Sequence, residues 1–106
     1  MLLTGCAVAP PAQDNANGAR ARLPVPVRAA ALLHSGPDAV RGALGAPDLR
    51  RAEGTAQVWL YAPSANCRVD VVFYPEADGP KVAHAVARVA APVREDVCLQ
   101  MVAARS

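Results

Sequence analysis

The stretch Cys67 to Tyr74 constrains the fold more than any other part of the chain. Cys67, Val69, Val71 and Phe73 alternate with Arg68, Asp70, Val72 and Tyr74. A period of two places successive side chains on opposite faces of a strand. Turn-forming residues bound the stretch, Pro63-Ser64-Ala65-Asn66 before it and Pro75 to Pro80 with Asp78-Gly79 after it. Short turns on both sides bring the neighbouring segments back antiparallel. The flanking candidates are Thr55 to Tyr61, with Ala56, Val58 and Leu60 on one face and Gln57, Trp59 and Tyr61 on the other, and Lys81 to Val89, with Val82, His84 and Val86 on one face. Leu49 to Glu53, cut off by Gly54, is a weaker fourth strand.

Helices frame this meander. Ser35 followed by Asp38 fits a capping pair, and Pro37 suits a first helical turn, where its missing N–H has no helical partner. Val40, Ala43 and Leu44 recur at helical spacing, Gly45 stops the helix and Pro47 prevents its return. The helix is expected over Pro37 to Leu44, with an earlier turn or helix in Val27 to Leu33. After Pro92 the chain reads as a closing helix. Glu95 and Asp96 lie at its positive end, Arg105 at its negative end, and Val97, Cys98, Met101 and Val102 form its apolar face. The expected fold class is α+β with two layers: a short helix or two, an antiparallel meander of three to four strands, and a closing helix. A helix on one sheet face would bury Val40 and Leu44 against Val69, Val71 and Phe73.

Three regions follow. Residues 1–6 read as the end of a signal peptide, residues 7–26 as a flexible Ala/Pro-rich tether, and residues 27–106 as one small domain. The tether is rich in Ala and Pro and poor in large apolar residues, so it buries too little to offset its ordering entropy. A domain of about 80 residues buries only roughly 60% of its unfolded surface and gains much from a covalent staple.

Leu3-Thr4-Gly5-Cys6 resembles the bacterial lipobox, in which a Leu and two small residues precede a Cys that receives a thioether-linked diacylglycerol. The resemblance implies lipidation of Cys6 and anchoring to a membrane. Ala7, not Asp, follows the Cys, which in lipoproteins of this kind points to the periplasmic side of the outer membrane. Only five residues precede Cys6, whereas a signal peptide has a basic segment and an apolar run. The expectation is therefore that the reading frame extends upstream of Met1.

Leu44-Gly45-Ala46-Pro47, Arg51 to Gly54 and Trp59-Leu60-Tyr61 resemble the Leu-Gly-x-Pro, Gly and Trp-x-Tyr signature of the SmpA/OmlA (BamE-like) lipoproteins. More narrowly, they resemble small lipoproteins of alphaproteobacteria that add a Cys after that Tyr and a second near the end. The likeness spans roughly Leu33 to Cys98. It implies helices packed on a three-stranded sheet and a non-enzymatic, protein-binding role in outer-membrane assembly or maintenance. A helix-plus-sheet domain of this kind also resembles modules of β-lactamase inhibitors, so a tethered inhibitor of an envelope enzyme is the alternative.

With Cys6 lipidated, Cys67 and Cys98 remain as a pair, expected to bridge in an oxidising compartment. The competing readings are two buried thiols or a metal site. No Cys-x-x-Cys spacing occurs and His34 and His84 are isolated, which argues against zinc. No catalytic residue is assigned: Ser35 reads as a cap, Glu95-Asp96 as a helix start, and no nucleophile elbow or phosphate loop appears. No cofactor and no small-molecule substrate are expected. The near-neutral domain lacks a basic stripe, which argues against nucleic acid, and no apolar run reaches membrane-spanning length. The candidate protein-contact face comprises Trp59, Tyr61, Arg68, Asp70 and Tyr74, on the assumption that the neighbouring strands present them together. The other register turns Trp59 into the core.

Overall fold

A computed structural model describes residues 23–105. The lipobox at Leu3–Cys6 and the tether up to residue 22 lie outside the described residues. A short 3-10 turn, Ala29–Leu32, leads into helix α1, Pro37–Leu44. Strands β1 (Leu49–Glu53), β2 (Ala56–Ser64), β3 (Cys67–Tyr74) and β4 (Lys81–Val89) follow, then helix α2, Glu95–Ala104. The strands form one antiparallel sheet in the order β1-β2-β3-β4. The arrangement is the α+β meander with a closing helix.

Local chemistry sets the helix ends. Pro37 occupies the first turn of α1 with Asp38 beside it. The cap itself is Gly36, and no side chain bonds the open N–H groups, so Ser35 is not the cap. The Ser35 backbone is engaged elsewhere: Val82 N–H donates to its carbonyl at 2.8 Å and His34 N–H donates to the Val82 carbonyl at 2.9 Å. At the other end Gly45 adopts φ 86°, a region that an L side chain rarely enters, and its N–H closes the last turn on the Arg41 carbonyl at 2.8 Å.

Strand register decides which side chains share a face. Trp59 stands opposite Val71, Tyr61 opposite Val69, and Gln57 opposite Phe73. Directly opposed residues point to the same side of a sheet. Trp59 and Tyr61 therefore lie with Cys67, Val69, Val71 and Phe73, on the face that the helices cover. Val40, Ala43 and Leu44 of α1 and Cys98, Leu99 and Val102 of α2 complete one core with them. Trp59 is 1% exposed and Tyr61 0%. The grouping of these two with Arg68, Asp70 and Tyr74 is corrected by this register: the latter three project from the opposite face. The face of β4 is corrected too. Phe73 pairs with Val82 but Val72 pairs with His84, so Ala83 forms a bulge. Val82 is turned into the core, while His84 and Val86 face outwards.

Helix α2 is rotated from the sequence expectation. Cys98, Leu99, Val102 and Ala103 are buried, whereas Val97 is 39% exposed. Its N-terminal Glu95 accepts a hydrogen bond from Ala29 N–H at 2.7 Å, which ties the entry segment to the helix. The packed region also reaches back past Val27. Leu23 N–H donates to the Gly42 carbonyl at 3.1 Å, and the Leu23 side chain lies where a Cβ on Gly42 would meet it at 3.0 Å.

Trp59 packs edge-on against Phe73, ring centroids 4.7 Å apart, at the centre of this core. Truncation of Trp59 to Ala is expected to cost about 3–5 kcal/mol, read as a fall in the urea midpoint. A variant within about 1 kcal/mol of the parent would place the indole at the surface and contradict this packing.

Candidate functional site

Two groups of side chains stand out from the surface, one on each side of the sheet. The outer face carries Arg68, Asp70, Val72 and Tyr74 from β3 beside His84, Val86 and Arg88 from β4. Val58 and Leu60 of β2 continue it. Arg68 and Arg88 are directly opposed across the strands, an arrangement that repels when both are charged. Asp70 resolves it. Its two carboxylate oxygens accept from Arg68 Nε at 3.1 Å and Arg88 Nε at 2.9 Å. Asp70 is the buried charged residue of the described chain, at 8% exposure. Burial pushes its carboxyl up, but the hydrogen bonds from Arg88 and Arg68 outweigh that and hold its pKa below the usual carboxylate value. Tyr74 is half exposed at the end of this row.

The second group surrounds Trp59 at the rim of the inner face. Trp59 Nε1 donates to Gln57 Oε1 at 3.1 Å. The guanidinium carbons of Arg50, on β1, and Arg41, on α1, lie 5.0 Å and 5.3 Å from the centroid of its ring. Next to it the Tyr61 hydroxyl donates to the Gly45 carbonyl at 2.8 Å. Burial raises the Tyr61 phenol well above its ordinary pKa of 10.0. This bond joins the two halves of the Leu-Gly-x-Pro and Trp-x-Tyr pattern in space.

Cys67 and Cys98 stand at disulfide-bonding distance, Cα atoms 5.3 Å apart, and both are fully buried. The link joins the start of β3 to α2. Cys6 lies outside the described residues. His34 and His84 are exposed, and no group of three or more His, Cys, Asp or Glu able to hold a metal occurs among the described residues. Two shallow depressions, of about 240 and 220 Å³, are lined by Ala46, Asp48, Val102 and Arg105 and by Val27, Arg28, Glu95 and Asp96. Their polar groups serve the fold. Asp48 accepts from Arg105 at 3.0 Å and from Ala62 N–H at 2.6 Å, which hold its carboxyl below the usual range. Glu95 holds Ala29. No helix of the described residues is long and apolar enough to cross a membrane.

The Arg41–Trp59–Arg50 group was not visible as a site in the sequence. The signal that finds it is the pairing of Arg50 with Trp59, and alternation alone does not supply it. Comparison of the chain with known protein families, characterised proteins and solved structures gives no match.

The Asp70 bridge carries a pH signature. Its folded pKa is lowered from 3.8, so the stability it contributes is full above pH 3.8 and drains as the pH falls below that value. Asp70→Asn is expected to lose about 1–2 kcal/mol at neutral pH, because Arg68 and Arg88 then face each other without a carboxylate. In urea titrations the gap between parent and variant should narrow as the pH falls below 3.8. A gap that stays constant would contradict the role assigned to the carboxylate.

Proposed function

We propose that this protein is a lipid-anchored lipoprotein of the bacterial envelope, attached through Cys6, with a non-enzymatic protein-binding role on the periplasmic side of the outer membrane. Assembly or maintenance of that membrane is the setting that the SmpA/OmlA-like residue pattern suggests. The observation that carries the reading is the Tyr61-to-Gly45 hydrogen bond. It brings together one residue from each half of the pattern that the chain resembles, which supports the reading. The placement of Cys67 beside Cys98 supports export, because such pairs form and persist in oxidising compartments. It also leaves Cys6 as the remaining cysteine for lipid.

The polar clusters support binding over catalysis. Asp70, Asp48 and Glu95 each hold arginine or backbone groups in place. The sheet offers an outer face where Val72, Val86 and Tyr74 lie among charged side chains, a composition suited to protein contact.

Metabolic labelling tests the anchor. The gene, expressed with its native upstream sequence in a bacterial host, is expected to give a palmitate-labelled protein in the outer-membrane fraction. Cys6→Ser should abolish the label and leave the domain folded. Label that persists in Cys6→Ser, or an unlabelled parent, would overturn the reading. Cross-linking of the anchored protein to barrel-assembly components would support the assembly role. Cross-linking to a single periplasmic hydrolase would replace it with that of a tethered inhibitor.

A further inference from the structure

The sheet has two edges, and they are not equivalent. The edge of β4 is engaged at Val82, where His34 and Ser35 of the entry segment bond its backbone. β1 pairs with β2 alone among the described residues, and all five of its residues are exposed. An edge strand of this kind presents unpaired N–H and C=O groups along one side.

The charges beside that edge are unbalanced. Arg51, on the outer side of β1, is closed on Glu53 at 2.7 Å. Arg50, on the inner side, has no acidic partner among the described residues and lies on the Trp59 ring. Arg41 approaches the same ring from α1, and its one ion pair among the described residues is with the fully exposed Asp38, at 3.7 Å. Their distances to one centroid keep the two guanidinium carbons within about 10 Å of each other, about one Debye length at 0.1 M salt. The ring attracts each cation but neutralises neither. A carboxylate within reach of both would do so.

We propose that the β1 edge accepts an extended acidic segment of a protein partner as a fifth strand, with a carboxylate held by Arg50 and Arg41 beside Trp59. The inference rests on the protein-binding reading above and names the chemistry of the partner. Side chains of an added strand alternate between faces. The residue opposite Arg50 therefore enters the cationic corner. The residue opposite Arg51 meets a pair already closed, so the acidic requirement falls on alternate positions.

Trp59 is the one tryptophan of the chain, so its emission reports on this corner directly. The probe is a terminally blocked octapeptide alternating glutamate and valine, against a counterpart with glutamine for glutamate. The glutamate peptide is expected to give a saturable change in Trp59 emission and to shift the backbone amide resonances of Leu49–Glu53, both weakening with salt. Arg50→Gln and Arg41→Gln should each weaken binding about tenfold, and Arg51→Gln less than about twofold, with the amide spectrum of each variant confirming its fold. Equal binding of the glutamine peptide, or shifts confined to β4 or the outer face, would overturn the proposal. So would inorganic phosphate that reproduces the emission change, if the peptide leaves the β1 amides unmoved. Failure of the peptide in a chain that still cross-links to an envelope protein sinks strand addition and leaves the protein-binding reading standing. Peptide binding by a chain that takes no lipid at Cys6 sinks the anchoring instead.

Discussion

The link between Cys67 and Cys98 is the constraint on which the rest of this domain depends. A four-stranded sheet with one apolar face needs a cover, and the cover here is thin: an eight-residue helix and a ten-residue helix. Helices so short are marginal alone. The cysteine pair fixes α2 to the start of β3, and α2 packs across β2, β3 and β4. The closed segment spans 31 residues. In the chain-entropy account a loop of that size contributes roughly 3–4 kcal/mol, a large share of the stability of a domain this small. Secondary ties work in the same direction. Asp48 holds the end of α2 through Arg105, and Glu95 holds its start through Ala29.

Once the inner face is covered, polar chemistry is left at its rim and on the far side. Tyr61 shows how the two regimes meet. Its ring is buried in the core, while its hydroxyl reaches the Gly45 carbonyl at the end of α1. Gly45 can turn there because it lacks a side chain, so the stop signal of the helix is also the partner of a core tyrosine. Trp59 does the same with charge: its ring is core, and two arginines lie over it. The long stems of such arginines shield apolar surface while their heads remain available. On the outer face Asp70 plays the complementary part by allowing two opposed arginines on adjacent strands. The result is a domain with a sealed core, one engaged sheet edge and, among the described residues, one open one.

Much of this architecture was legible in the residues. The bounds of α1, β3 and β4 coincide with those read from periodicity and from Gly and Pro punctuation, because local chemistry determines them. The cysteine pairing was legible for a different reason: the lipobox resemblance sets Cys6 apart, and two cysteines remain. The face of Trp59 was not legible. Alternation says that Trp59 and Tyr61 share one side of β2, but the side of β3 they join depends on register, and register depends on the hairpin. Here β2 runs on through Pro63 and Ser64, residues that read as a turn, and an irregularity lies between Tyr61 and Ser64. The bulge at Ala83 hid the face of Val82 in the same way. Ser35 misled because its capping chemistry is sound, yet the chain uses its backbone to pair with β4. The Arg41 and Arg50 corner was hidden because it joins a helix to a strand through a ring that neither neighbours in sequence.

The central claim is that the cysteine link holds α2 on the sheet and thereby the domain. Urea unfolding of the parent against a Cys67→Ala/Cys98→Ala double variant, followed by Trp59 emission, tests it most directly. The account predicts a loss of roughly 3–4 kcal/mol in the variant, together with earlier exposure of Trp59. A variant within about 1 kcal/mol of the parent, with Trp59 equally protected, would contradict it.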